Sequence, residues 1–139
     1  MKLADAPVPI RVKLSALWAS VMFLYIYGDY FDLYKPGKLA SMLAGRTPVG
    51  PTTQGMLVVF AVMMTIPSVM VFLSLVLKPA FARVTNIAFG ILYSLIIVGT
   101  MLGAWTFTMV LGVVEIVLTL AVAWTAWKWP REATERSGS

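Results

Sequence analysis

An all-α membrane protein, a polytopic antiparallel bundle of four transmembrane helices, is the fold class this sequence predicts. Composition is the first sign: 60% of the 139 residues are hydrophobic and only 12% are charged. A soluble domain carries about twice that charged fraction, which it needs to cover its surface. The second sign is four apolar stretches, each near the roughly 20 residues a helix needs to cross hydrocarbon. The third is that these stretches are continuously apolar rather than alternating, which argues against transmembrane strands.

Residues 1–13 form a cytoplasmic N-terminal segment carrying Lys2, Arg11 and Lys13. The first span covers about 14–34. A cleaved signal peptide fits it poorly, because the stretch is long and GDYFDLYKPG offers no small-residue cleavage site. The connection from Lys35 to Gly55 is the longest in the chain. Its PGKLASMLAG has the pattern of one or two helical turns, with Leu39, Met42 and Leu43 on one face and Gly45 as a stop. Such a turn is either a lid or a segment resting on the lipid headgroups. TPVGPTTQG after it reads as irregular.

The second span covers about 56–77 and contains Pro67, a helix-kink position that leaves the carbonyl of Met63 without its helical donor. Thr65 and Ser68 are on hand to satisfy backbone groups there. LKPAFAR leads into the third span, about 84–102, with Asn86, Gly90 and Ser94 on one face and Tyr93 beside it. Gly103-Ala104 then forces a tight hairpin into the fourth span, about 105–127. GTMLG at 99–103 has small-xxx-small spacing and is expected to pack on that fourth helix. Together the spans make one domain, 14–128, and residues 129–139 read as a disordered cytoplasmic tail.

Orientation follows from the basic residues. Lys2, Arg11, Lys13, Lys78, Arg83, Lys128, Arg131 and Arg136 fall on one side of a four-span topology, against Lys35, Lys38 and Arg46 on the other. The positive-inside rule places both termini in the cytoplasm. Trp105 at one end of the last span, and Trp124, Trp127 and Trp129 at the other, suit the two interfaces. The net charge of +5 is therefore topological, and no nucleic-acid partner is expected.

The acids are the positions that need a reason. A carboxyl within a span costs about 2.5–3.5 kcal/mol on the insertion scale, so it marks a candidate function. Asp29, Asp32 and Glu115 are the acids within spans, and no Lys or Arg lies deep in any span. Ser15, Trp18, Met22, Tyr25, Asp29 and Asp32 recur at steps of 3, 4, 3, 4 and 3, one stripe of the first helix. Thr108, Gly112, Glu115, Thr119 and Ala126 form a small and polar stripe on the last helix. At about 1.5 Å of rise per residue, Asp29 and Glu115 differ in depth by roughly 6 Å. They are expected to line one cavity, with Asp32 at its mouth and able to pair with Lys35. The candidate substrate or proton site is Asp29, Glu115, Asp32, Tyr25 and Thr119.

Enzyme chemistry is not expected. The chain has neither histidine nor cysteine, no hydrolase-type serine motif and no glycine-rich phosphate loop. GDYFD does not resemble the GxGD of membrane aspartyl proteases, and no metal or cofactor is called for. The sequence leaves two functions: a small transporter or channel-like component with a protonatable acidic site, or an accessory subunit in which the acids tie helices together. The expected partners are the lipid bilayer and either further copies of the chain or a larger membrane complex.

LSALW at 14–18, YIYGDYFDLYKPG closing the first helix, RVTNI at 83–87, Glu115 and AWKWP at 126–130 together resemble a family of small bacterial four-helix membrane proteins that carries a domain-of-unknown-function label. The resemblance extends from about Arg11 to Pro130. It implies four spans and no established activity, with Asp29 and Glu115 as family-like features. Members of that family often carry a glutamate before the Ile-Pro of the second span, where this chain has Thr65. The resemblance therefore implies a reduced acidic site here.

Overall fold

The computed structural model describes residues 1–132. The sequence-predicted tail falls largely on 133–139, outside the described residues. Four long helices make the bundle: α1 (Ile10–Asp32), α3 (Gln54–Val76), α4 (Pro79–Met101) and α5 (Thr106–Trp127), with a short α2 (Lys38–Leu43) between the first two. All four long helices are long and apolar enough to cross a membrane. The chain is a multi-pass membrane protein, with its described ends at one end of the bundle and α2 at the other.

α1, α3 and α4 begin earlier than hydropathy alone predicts. α1 starts at Ile10 rather than residue 14, directly after Pro9. α4 starts at Pro79 rather than residue 84, because proline suits the first helical position, where no backbone donor is needed. Arg83 then lies inside α4 and not in a loop. Its guanidinium donates to the carbonyls of Ala126 and Trp127, at 3.3 and 3.4 Å, at the C-terminal end of α5. Arg11 does the same for α3, donating to Leu75 at 3.1 Å and Leu77 at 2.6 Å. Carbonyls at a helix C-terminus lack intrahelical donors and carry partial negative charge, so a cation from the adjacent helix satisfies both needs.

The long connection is more ordered than its composition predicts. α2 forms, with Gly45 beyond it at φ +67°. TPVGP closes a minimal antiparallel ladder, pairing Arg46 with Pro51 and Thr47 with Gly50, where irregular chain is expected from sequence. The Thr47 hydroxyl donates to the Gly50 carbonyl at 2.8 Å, and Thr53 caps α3 by accepting from the Met56 amide.

α1 packs against both α3 and α5, and α4 packs most closely against α5. α3 and α4, although joined by only Leu77 and Lys78, touch far less. The close approach of α4 to α5 occurs at Gly90. A Cβ there would stand 2.9 Å from the carbonyl oxygen of Thr119 and 3.0 Å from the amide nitrogen of Ala123. GTMLG packs on α5 through Met101, whose sulfur would stand 2.7 Å from a Cβ at Gly112, and not through its glycines, because nothing lies within 4 Å of where a Cβ at Gly99 or Gly103 would sit. Gly103 instead supplies φ +70° to the α4–α5 turn.

The half of the bundle nearest the termini is solid. Leu14 and Trp18 of α1, Met70 of α3, Tyr93 of α4, and Val122 and Ala126 of α5 form its core. A buried polar network crosses it. The Trp18 indole donates to Asn86 Oδ1 at 2.7 Å, the Ser74 hydroxyl donates to the same oxygen at 3.3 Å, and Asn86 Nδ2 donates to the Ala82 carbonyl. Ser15 adds a bond to the Val71 carbonyl at 2.8 Å. Three helices are thereby pinned at one level by groups that find no alternative partner in hydrocarbon.

Candidate functional site: an acidic cavity between the helices

The other half of the bundle is hollow. A cavity of about 790 Å³ opens among α1, α3, α4 and α5, and the outer connection reaches it through Pro48 and Val49. Tyr25, Tyr93 and Glu115 lie deepest, just beyond the solid half, and Asp29 is a turn outward from Tyr25 on α1. Asp32, Lys35 and Lys38 sit at the mouth, and a second hollow of about 550 Å³ continues under α2 from Asp29, Asp32 and Lys38.

The α1 stripe reaches this site because its inner part is anchored. Ser15 and Trp18 are held by hydrogen bonds to α3 and α4, so the positions at further steps of 3 and 4 must also face inward. The α5 stripe is oriented by Gly112, Glu115, Thr119 and Ala126, all buried. The structure thus brings Tyr25, Asp29, Asp32 and Glu115 to one cavity.

Thr119 does not join them. Its hydroxyl bonds to the Ser94 hydroxyl at 2.6 Å and donates to the Glu115 carbonyl at 2.9 Å, which makes it a tie between α4 and α5 below the cavity. Thr65 is also outside. It is exposed on α3, donates to the Ala61 carbonyl at 2.7 Å and does not line the cavity. The residue present at 65 therefore takes nothing from this site.

α3 runs through Pro67 as one helix. The carbonyl of Met63, four residues back, loses its usual amide donor and is taken by the Tyr93 hydroxyl at 2.5 Å. Thr65 and Ser68, the sequence-predicted partners, bond instead to the carbonyls of Ala61 and Met64. Tyr93 is the residue that sequence reasoning undervalued. A signal was present, since Ala82, Asn86, Gly90, Tyr93 and Ile97 recur at steps of 4, 4, 3 and 4, and all are buried.

The charges divide by depth. Asp32 pairs with Lys35 at 2.5 Å and with Lys38, from α2, at 2.6 Å. The Lys38 pair could not be read from spacing along a single helix, and it fastens α2 over the mouth. Lys35 also lies 5.9 Å from the Trp105 ring centroid and 5.8 Å from that of Phe107. Deeper in, neither Asp29 nor Glu115 has an ion-pair partner among the described residues. Glu115 is only 8% exposed. The Tyr25 hydroxyl is buried with no hydrogen-bond partner, and its ring lies 6.4 Å from that of Tyr93. Among the described residues no group of three or more carboxylates could hold a metal ion.

Fold and cavity define a small polytopic membrane protein whose spanning helices enclose an acidic cavity, closed toward the termini and open toward α2. The chain belongs to the family of unknown function DUF6326, whose pattern matches residues 1–135. No curated protein and no solved structure matches it.

Proposed function

We propose that this protein is a non-catalytic transporter or channel-like component of the bacterial cytoplasmic membrane, with both termini in the cytoplasm and with Asp29 and Glu115 as its protonatable site. The observation that carries this reading is Glu115. It is buried at the floor of a cavity with no cation beside it, and the unpartnered Tyr25 hydroxyl lines the same cavity. A carboxyl placed there costs several kcal/mol when charged, which marks it as a functional group rather than filler. The Trp18–Asn86–Ser74 network closes the cavity toward the termini, so passage requires the bundle to rearrange at that level. A single chain of this size encloses no continuous pore, and the transporting form is a homo-oligomer.

The test is infrared titration of the carboxyl band in reconstituted protein. A band that responds to pH in wild type and vanishes in Glu115→Gln is the expected result. The amide keeps the shape and hydrogen bonding of the side chain but cannot ionise. A Glu115 band unchanged from acid to alkaline pH would end the proton-exchange reading and leave Glu115 as a structural tie between helices.

A further inference from the structure

The cavity selects for one kind of guest by its charge and by its walls. The two acids without an ion pair, Asp29 and Glu115, lie inward of the mouth. At the mouth two lysines face the single carboxylate of Asp32, which leaves that end net positive. An anion would therefore be drawn to the mouth and repelled from the floor. A small hydrated metal ion would need a dense set of oxygen ligands. The described residues offer no such cluster. A neutral guest would leave both carboxyls without an ionic partner in a cavity whose walls are largely apolar.

The walls are apolar and aromatic. Phe60 and Met63 come from α3, Tyr93 and Ile97 from α4, and Tyr25 from α1. The cavity occupies the space where α3 and α4 part. The rings of Tyr25 and Tyr93, tilted by 32° to each other, offer π faces near Glu115. A cation within about 6 Å of such a ring is stabilised, more so when desolvated. A volume of about 790 Å³ is of the size that holds a drug-sized molecule.

We infer that this cavity is a binding site for lipophilic organic monocations, of the aromatic ammonium or phosphonium type, held by Asp29 and Glu115 and by the Tyr25 and Tyr93 rings. The inference rests on the proposed function in that the guest and the proton compete for the same carboxyls.

Tetraphenylphosphonium is a suitable probe because tetraphenylborate has nearly the same shape and the opposite charge. Equilibrium binding of each would be measured on the full chain in lipid nanodiscs, with empty discs subtracted and proton release followed by a dye. Saturable phosphonium binding is expected, weakened at least tenfold in Glu115→Gln and in Asp29→Asn, with no saturable borate binding. Absence of saturable phosphonium binding overturns the inference. So does equal binding of the two ions, or wild-type affinity in both acid variants. Infrared titration of Glu115 in the same discs separates the two levels. A carboxyl that titrates in protein that binds no phosphonium leaves the proton site standing and removes the guest. Phosphonium binding that depends on Glu115 but releases no proton supports the guest site and removes proton exchange.

Discussion

Gly90→Ala places a methyl group where two helix backbones nearly touch. The added Cβ would stand 2.9 Å from the Thr119 carbonyl oxygen, 3.0 Å from the Ala123 nitrogen and 3.2 Å from the Ala123 Cβ. The first two are backbone atoms, so no side-chain rotation relieves the clash and α4 must move off α5. Overpacking of this kind costs about 1–3 kcal/mol. Separation also stretches the 2.6 Å Ser94–Thr119 bond one turn away. Interhelical hydrogen bonds in membranes average about 0.6 kcal/mol. Alanine gains up to about 1 kcal/mol of helix propensity over glycine. Gly99→Ala on the same helix shares that gain but meets nothing within 4 Å. The difference between the two variants therefore isolates the clash, at about 2–3 kcal/mol, Gly90→Ala being the less stable. Unfolding in mixed micelles with increasing sodium dodecyl sulfate, followed by circular dichroism, measures it. Variants within about 0.5 kcal/mol of each other would refute the close α4–α5 approach at Gly90.

Tyr93→Phe removes the donor to Met63 and is expected to cost about 1–3 kcal/mol by leaving that carbonyl unpaired. In a Pro67→Ala background the restored amide at 67 bonds to Met63, so the cost of Tyr93→Phe should fall by about 1 kcal/mol. A double-mutant cycle with no coupling would show that the proline and the tyrosine are independent. Reporters that function only in the cytoplasm, fused separately to each terminus, are both expected to be active. Loss of signal at either end would overturn the orientation read from the basic residues.

Much of this architecture is written locally in the chain. A run of some twenty apolar residues declares a span wherever it occurs, and the steps of 3 and 4 linking Trp18, Tyr25, Asp29 and Asp32 put those residues on one face of any helix. The pairing of Asp32 with Lys35 is equally local, three residues apart on one turn. Those features needed no knowledge of a neighbouring helix. The start of α4 at Pro79 was local too, but a hydropathy boundary hides it, since a charged residue such as Arg83 looks like an end until its carbonyl partners on α5 are known.

What only the tertiary structure decided is which helix meets which, and where they part. In water an apolar stripe points to the core because burial is rewarded. In a bilayer lipid tails are as apolar as side chains, so the apolar surface of α3 does not say which face is inside. Close approach and polar pairing decide instead, and each depends on two helices at once. Gly90 contacts α5 while Gly99 and Gly103 do not, although their spacing looks more like a packing motif. Tyr93 rather than Thr65 or Ser68 answers the carbonyl that Pro67 leaves free. Lys38 reaches Asp32 from α2, and Thr119 turns to Ser94 rather than into the cavity. The sequence by itself determined that carboxyls would stand inside the bundle, because helical periodicity and the scarcity of charge are properties of one chain segment. That two of them share one hollow, neither in an ion pair, was decided by the parting of α3 from α4, which depends on the relative placement of separate helices.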